Sequence, residues 1–138
     1  MENILKRLQQ KEIIVGDGAL GTMLIQRGLK FGDPPEAFNL SQPQVLEEIA
    51  SLYLEAGAEL VTTNTFGASP LRLQQYALEK DTDAINRSAV EAVRRVVGNN
   101  AYVSGSVGPS GKMLKPLGNA ESEAIAASYR RQISALLE

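Results

Sequence analysis

Three short segments carry the side chains able to do chemistry. Asp17 stands between Gly16 and Gly18 in GDGALGT, residues 16 to 22, directly after the apolar run Ile13-Ile14-Val15. Thr62, Thr63, Asn64 and Thr65 close the segment ELVTTNTF, residues 59 to 66, and Ser104, Gly105 and Ser106 precede Gly108-Pro109. A carboxylate such as Asp17 can hold an ammonium group, and the hydroxyls and carboxamide can donate to and accept from a polar ligand. Gly16, Gly18, Gly105 and Gly108 let backbone or ligand approach closely. The set suits a small zwitterion such as an amino acid, and it shows no nucleophile with a paired base. Each piece has a plainer reading. Asp17 can cap the helix that follows it, Thr63 and Thr65 suit a strand by propensity, and the glycines of the third segment suit a turn.

Composition removes other chemistries. The chain has no Cys and no His, which excludes disulfides, thiolate or imidazole metal ligands, Cys or His catalysis and a Ser-His-Asp triad within one chain. Net charge is −2, and no Lys/Arg tract marks a nucleic-acid or acidic-membrane surface. Arg94-Arg95 reads as a solvated helix face. The start MENILKRL lacks the apolar core of a signal peptide, and no apolar run reaches membrane-spanning length, so the default expectation is a cytoplasmic protein. Residues 105 to 112, GSVGPSGK, imitate a phosphate loop. The pattern G-x-x-x-x-G-K-[ST] needs glycine where Ser106 stands and a hydroxyl where Met113 stands, so nucleotide hydrolysis is rejected.

The elements that must position these residues alternate. A short helix is expected over residues 3 to 10. A strand apolar on successive positions follows at 12 to 16, as in a sheet covered on both faces. A short helix from Leu20 to Gln26 ends at Gly28, and 29 to 40 read as a loop. Ser41 is the expected cap of the next helix, with Gln44 completing a capping box and Pro43 in the first turn. Its inward stripe is Val45, Ile49, Leu52, Tyr53 and Ala56, and Gly57 stops it. Glu59 to Phe66 is a strand rich in β-branched residues. A short helix from Leu71 to Leu78 leads to a main helix from Thr82 to Val97, with Ile85, Ala89, Ala92, Val93 and Val96 inward. Ala101 to Val107 is the third strand and 108 to 118 a loop. Asn119 is expected to cap a last helix whose stripe is Ile125, Tyr129, Ile133 and Leu136. Such βα alternation implies an α/β fold of parallel strands with flanking helices. The three polar segments then sit at neighbouring strand tips, where α/β folds bind ligands.

Those tips, GDGALGT at 16 to 22, AFNLSQP at 37 to 43, YLEAGAELVTTNTFGA at 53 to 68, INRSAVEAVRR at 85 to 95, GSVGPSG at 105 to 111 and PLG at 116 to 118, give the chain a resemblance to the homocysteine S-methyltransferase family. The resemblance covers essentially all of the sequence. It implies a (β/α)8 barrel and transfer of a methyl group to the sulfur of homocysteine to give methionine. It implies Asp17, with Gly18 and Ala19 beside it, and Thr63 as parts of the homocysteine pocket; Asn64, Thr65 and Ser106 are the further candidates from the tips. It also implies a zinc ion that keeps the homocysteine thiol as thiolate, held by cysteines of later strands, and methylcobalamin as donor in cobalamin-dependent members. This chain has no Cys to offer, so no metal ligand is assigned within it. A complete barrel takes about 250 residues. The 138 residues therefore read as one partial domain, the first three βα units, stopping before a fourth strand and inactive alone. The competing readings are a non-catalytic binding or assembly module and an unrelated barrel enzyme for a small polar substrate. Three strands outside a closed barrel leave two free edges, which predicts self-association.

Overall fold

The computed structural model describes residues 2 to 138. Among these residues seven α-helices and two strands follow one another: α1 Ile4–Gln9, α2 Leu20–Gln26, α3 Phe38–Ser41, α4 Pro43–Glu55, β1 Leu60–Thr62, α5 Pro70–Leu73, α6 Thr82–Val97, β2 Tyr102–Ser104 and α7 Ser122–Leu137. Single 3-10 turns lie at Pro35–Ala37, Gln74–Tyr76 and Glu79–Asp81. No described helix is long and apolar enough to cross a membrane.

β1 and β2 run parallel in the register Leu60↔Tyr102, Val61↔Val103 and Thr62↔Ser104. The expected first strand at 12 to 16 is reduced to one parallel bridge, Gly16↔Leu60. The Glu59 and Leu60 N–H groups both reach Val15 O, at 2.8 and 3.2 Å, and the Asp17 N–H reaches Leu60 O at 2.9 Å. The reason is visible in the burial: Ile13 and Val15 are both exposed, so the segment has a partner on one edge and little packing to hold it extended. The other two strands are also shorter than expected: after the rung from the Thr63 N–H to Ser104 O, the Ser106 N–H and carbonyl turn to the Thr63 and Thr65 hydroxyls instead of continuing the ladder. The described residues thus form an α/β fold with parallel strands, and they do not close a barrel.

The helices fill one side of this sheet. Ala50 on α4, Val93 and Val97 on α6, and Ala58, Val61 and Ala101 make one core cluster. Leu46 and Ile49 of α4 join Leu24, Leu29, Phe38 and Ala92 in a second. The α6 stripe is as predicted except that Val97 rather than Val96 is fully buried. On α4 and α7 the predicted stripes are rotated: Leu52, Ala56 and Ile133 lie exposed, while Leu46, Ala50, Ser128, Gln132 and Ala135 are buried. The rotation turns each helix towards α6, which lies between them.

Two predicted caps are corrected. Ser41 ends α3 and its hydroxyl donates to Ala37 O at 2.9 Å, so Gln42 takes the N-cap position of α4. The segment 29 to 40 is accordingly not all loop. Glu121, not Asn119, precedes α7, because Leu114 and Ala120 bridge and tie Asn119 into the preceding loop. At the opposite end of the strands from the tips, Arg7 of α1 bonds Glu12 and Glu59 at 2.6 and 2.7 Å. Its guanidinium stacks over the Tyr102 ring, 5.9 Å from the centroid. Glu12 first, then Glu59 and Tyr102, hold the Arg7 pKa above its ordinary value. Bonding to Arg7, with help from the Val15 N–H, holds Glu59 below its own.

Candidate functional site

Asp17 leaves the first segment where the ladder would continue. The next rung after Asp17 N–H to Leu60 O would take the Thr62 N–H to a backbone carbonyl. Instead that N–H donates to Asp17 Oδ2 at 2.7 Å, and the Thr62 hydroxyl donates to Asp17 Oδ1 at 2.8 Å. The carboxylate replaces a ladder acceptor and ends the pairing. It is half-buried and lies on the helix side of the sheet, over Leu46, Ile49, Val61 and Tyr53. Each oxygen keeps acceptor capacity beyond its bond to Thr62. Gly18 and Ala19 are exposed beside it. A Cβ on Gly18 would stand 3.1 Å from the Tyr53 hydroxyl, which donates to Ala19 O at 3.2 Å.

Thr63, Thr65 and Ser106 form a second group. The Ser106 N–H donates to Thr63 Oγ1 at 3.2 Å and the Thr65 hydroxyl donates to Ser106 O at 2.8 Å. Since Thr65 has a single proton, the 2.7 Å contact between the two hydroxyls is donated by Thr63. The ring is closed and joins the tips of β1 and β2. Both threonines are buried, so their first role is to fix the spacing of those tips. Asn64 belongs to a third group: its amide donates to Pro35 O and to Asn39 Oδ1, both at 2.8 Å. The structure therefore places the seven predicted residues at adjacent tips. It pairs Asp17 with Thr62 rather than Thr63, and turns Asn64 away from the Thr63–Thr65–Ser106 ring.

The segment 64 to 68 is gripped by five residues. Asn39 donates to Asn64 O at 2.8 Å and Gln132 to Thr65 O at 2.7 Å. The Gly108 N–H donates to Phe66 O at 2.9 Å, and Asn86 donates to Ala68 O at 2.9 Å. Glu36 Oε1 accepts the Gly67 N–H at 2.6 Å. Gly67 and Gly108 are glycines for a steric reason: a Cβ would stand 2.6 Å from Glu36 Oε1 in one case and from Phe66 O in the other. Within 63 to 69 only Phe66 is exposed, at 62%. Glu36, Asn39, Asn86 and Gln132 were not singled out from the sequence. The available signal was polar residues set within apolar stripes: Asn86 beside Ile85 and Ala89, and Gln132 one turn after Ser128. Among the described residues no group of three or more His, Cys, Asp or Glu converges as a metal site. With neither Cys nor His in the chain, these residues do not fit a zinc centre.

A parallel βα array with polar strand tips is thus the class of structure present. The sequence model of the homocysteine S-methyltransferase family matches residues 14–138, and the chain belongs to that family. It is 37% identical over 149 aligned positions to methionine synthase of Mycobacterium leprae (strain TN), covering 99% of this chain and 12% of that protein. Against methionine synthase of Mycobacterium tuberculosis (strain ATCC 25618 / H37Rv) it is 34% identical over 148 positions, with the same shares covered. The crystal structure of the homocysteine methyltransferase MmuM from Escherichia coli, oxidized form, superposes with a TM-score of 0.79 at 27% identity, covering 99% of this chain and 53% of that one. The metallated form of MmuM gives the same TM-score and identity, with 54% of its chain covered. The chain spans about an eighth of the methionine synthases and about half of MmuM.

Proposed function

We propose that this chain supplies the amino-acid side of a homocysteine pocket in a methyltransferase that converts homocysteine to methionine. The observation that carries the reading is Asp17: a half-buried carboxylate at a strand tip, anchored through both oxygens to Thr62 yet keeping lone pairs for an ammonium group. Gly18 and Ala19 leave the approach open, and the Thr63–Thr65–Ser106 ring holds the neighbouring tips in place. Thiol activation by zinc is not assigned to these residues, because the chain has no thiolate or imidazole donor. Zinc and the methyl donor, methylcobalamin included, would be held by other polypeptide.

The test is an NMR titration of the 138-residue chain with L-homocysteine, and with 4-mercaptobutyrate, which lacks the amino group. Shifts confined to residues 16 to 19 and 62 to 66, seen with homocysteine and lost both with the analogue and in Asp17→Asn, are expected. Equal shifts with both compounds would return Asp17 to the role of a strand terminator.

A further inference from the structure

Thr62 is the last residue of β1, and both oxygens of the Asp17 carboxylate are held by it. Its N–H donates to Oδ2 at 2.7 Å and its hydroxyl to Oδ1 at 2.8 Å. We propose, resting on the homocysteine pocket above, that Thr62 is a positioning residue. It fixes the direction of the Asp17 carboxylate and thereby makes the site prefer ligands that carry a primary ammonium group.

The surroundings leave this task to Thr62. Beneath the carboxylate lie Leu46, Ile49 and Val61, which can bond neither oxygen. Two other polar side chains line the same spot, and both are engaged elsewhere. The Tyr53 hydroxyl donates to Ala19 O at 3.2 Å, and the Asn64 amide donates to Pro35 O and Asn39 Oδ1. A carboxylate turned from Thr62 towards α4 would meet apolar side chains without a bond, which is unfavourable for a polar group and more so for a charged one. Thr62 is itself held still. It pairs with Ser104 across the ladder, the Thr63 N–H donates to Ser104 O at 2.9 Å, and a β-branched side chain has few χ1 choices.

Geometry also decides that Thr62 acts through Asp17 rather than on the ligand. Two N–H groups of one ammonium diverge by about 109°, so at about 2.9 Å each they take acceptors roughly 4.7 Å apart. Thr62 Oγ1 and Asp17 Oδ1 are 2.8 Å apart, too close to serve two such bonds. What the hydroxyl contributes is direction. With Oδ1 and Oδ2 both engaged by Thr62, the remaining lone pairs are held in one place rather than averaged over rotamers. Thr62→Val keeps the shape of the side chain but sets a methyl group where Oγ1 stands, 2.8 Å from Oδ1, unable to donate and crowding the oxygen.

The chain has only four aspartates, which makes the test direct. With 13C-labelled aspartate, the couplings between Hα and Hβ read the Asp17 rotamer in the ligand-free chain, the resonance being assigned by its loss in Asp17→Asn. A single χ1 rotamer is expected in the native chain and in Thr62→Ser, and an averaged one in Thr62→Val, with far-UV circular dichroism unchanged throughout. L-Homocysteine should then bind Thr62→Val about tenfold more weakly than it binds the native chain or Thr62→Ser. 4-Mercaptobutyrate, which has no amino group, should bind all three alike. An unaveraged Asp17 in Thr62→Val, no rescue by Thr62→Ser, or equal losses for both compounds would each overturn the proposal. Discrimination between the two compounds that survives in Thr62→Val would overturn it while leaving the pocket intact. Equal binding of the two by the native chain, or none, would remove both.

Discussion

Thr62 donates both its backbone N–H and its hydroxyl to the carboxylate of Asp17. An aspartate therefore does at this tip what a backbone carbonyl does elsewhere in a parallel ladder, and the local structure and the candidate chemistry rest on the same two oxygens. Substitution separates them. Asn at position 17 can still accept the Thr62 N–H and can donate to its hydroxyl, so Asp17→Asn should change stability by less than about 1 kcal/mol. Asp17→Ala strands the Thr62 N–H and should cost about 1–3 kcal/mol. Urea denaturation of both variants checks the difference. In a complete family domain, loss of the charge-assisted bond in Asp17→Asn should weaken homocysteine binding about ten- to a hundredfold, equivalent to roughly 1.5–3 kcal/mol.

The contact between Glu36 and Gly67 predicts strong coupling. Gly67→Ala pushes a methyl group against Glu36 Oε1 and should destabilise by about 1–3 kcal/mol. Glu36→Ala removes the obstacle together with the acceptor of the Gly67 N–H. The double variant should then be more stable than the sum of the single changes by about 0.5–3 kcal/mol. A double-mutant cycle in urea measures this, and simple additivity would show that the loop relaxes around the methyl group.

Asn39 is fully buried and joins three elements through Asn64, Ile85 and the Ser88 hydroxyl, which donates to Asn39 O at 2.6 Å. Asn39→Leu keeps the volume and leaves the Asn64 carbonyl and one hydrogen of the Asn64 amide without side-chain partners, while the Ile85 carbonyl keeps its bond within α6. At about 1–3 kcal/mol for each buried group left unpaired, the cost should exceed about 2 kcal/mol. Thermal unfolding followed by circular dichroism gives the check.

The α6–α7 contact should weaken in acid. Arg131 bonds Asp83 through two nitrogens, at 2.9 and 3.0 Å, and holds the Asp83 carboxyl below its ordinary range. A depressed folded-state pKa contributes stability that is complete above the unfolded value of about 3.9 and is lost as the pH falls through the lower, folded value. Both side chains are about two-fifths exposed, so solvent screening keeps the contribution at or below about 1 kcal/mol. Comparing unfolding free energies of the native chain and Asp83→Asn between pH 6 and pH 3 should show the difference shrinking as the pH drops.

The residues whose partners are near in sequence, or whose pattern repeats, were legible. The α6 stripe, the parallel strand order, the stop at Gly57 and the three polar tips follow from periodicity and turn chemistry. The first strand is reduced to a bridge because an apolar run is a strand only where something packs on it, and Ile13 and Val15 are exposed. The stripes of α4 and α7 rotated for the same reason: sequence shows that Leu52 and Ile133 are apolar, but not that α6 is the available partner. The buried polar grip on residues 64 to 68 was hidden more deeply. Asn39, Asn86 and Gln132 are ordinary helix residues until the loop they hold is brought to them from a distant part of the chain.

Gln132 shows what that distance implies for the order of assembly. Its side-chain amide reaches Thr65 O, 67 residues earlier, and Ser106 O, 26 residues earlier. A contact between such remote positions carries a loop-closure cost that local helices do not face. On a growing polypeptide the helices α4 and α6 can form and pack while the Thr65 carbonyl still lacks this donor. The Thr63–Thr65–Ser106 ring can join the two strand tips earlier, but the brace from Gln132 is added only after residue 132 has left the ribosome and α7 has docked, so the final setting of the tips waits for a helix that follows both of them.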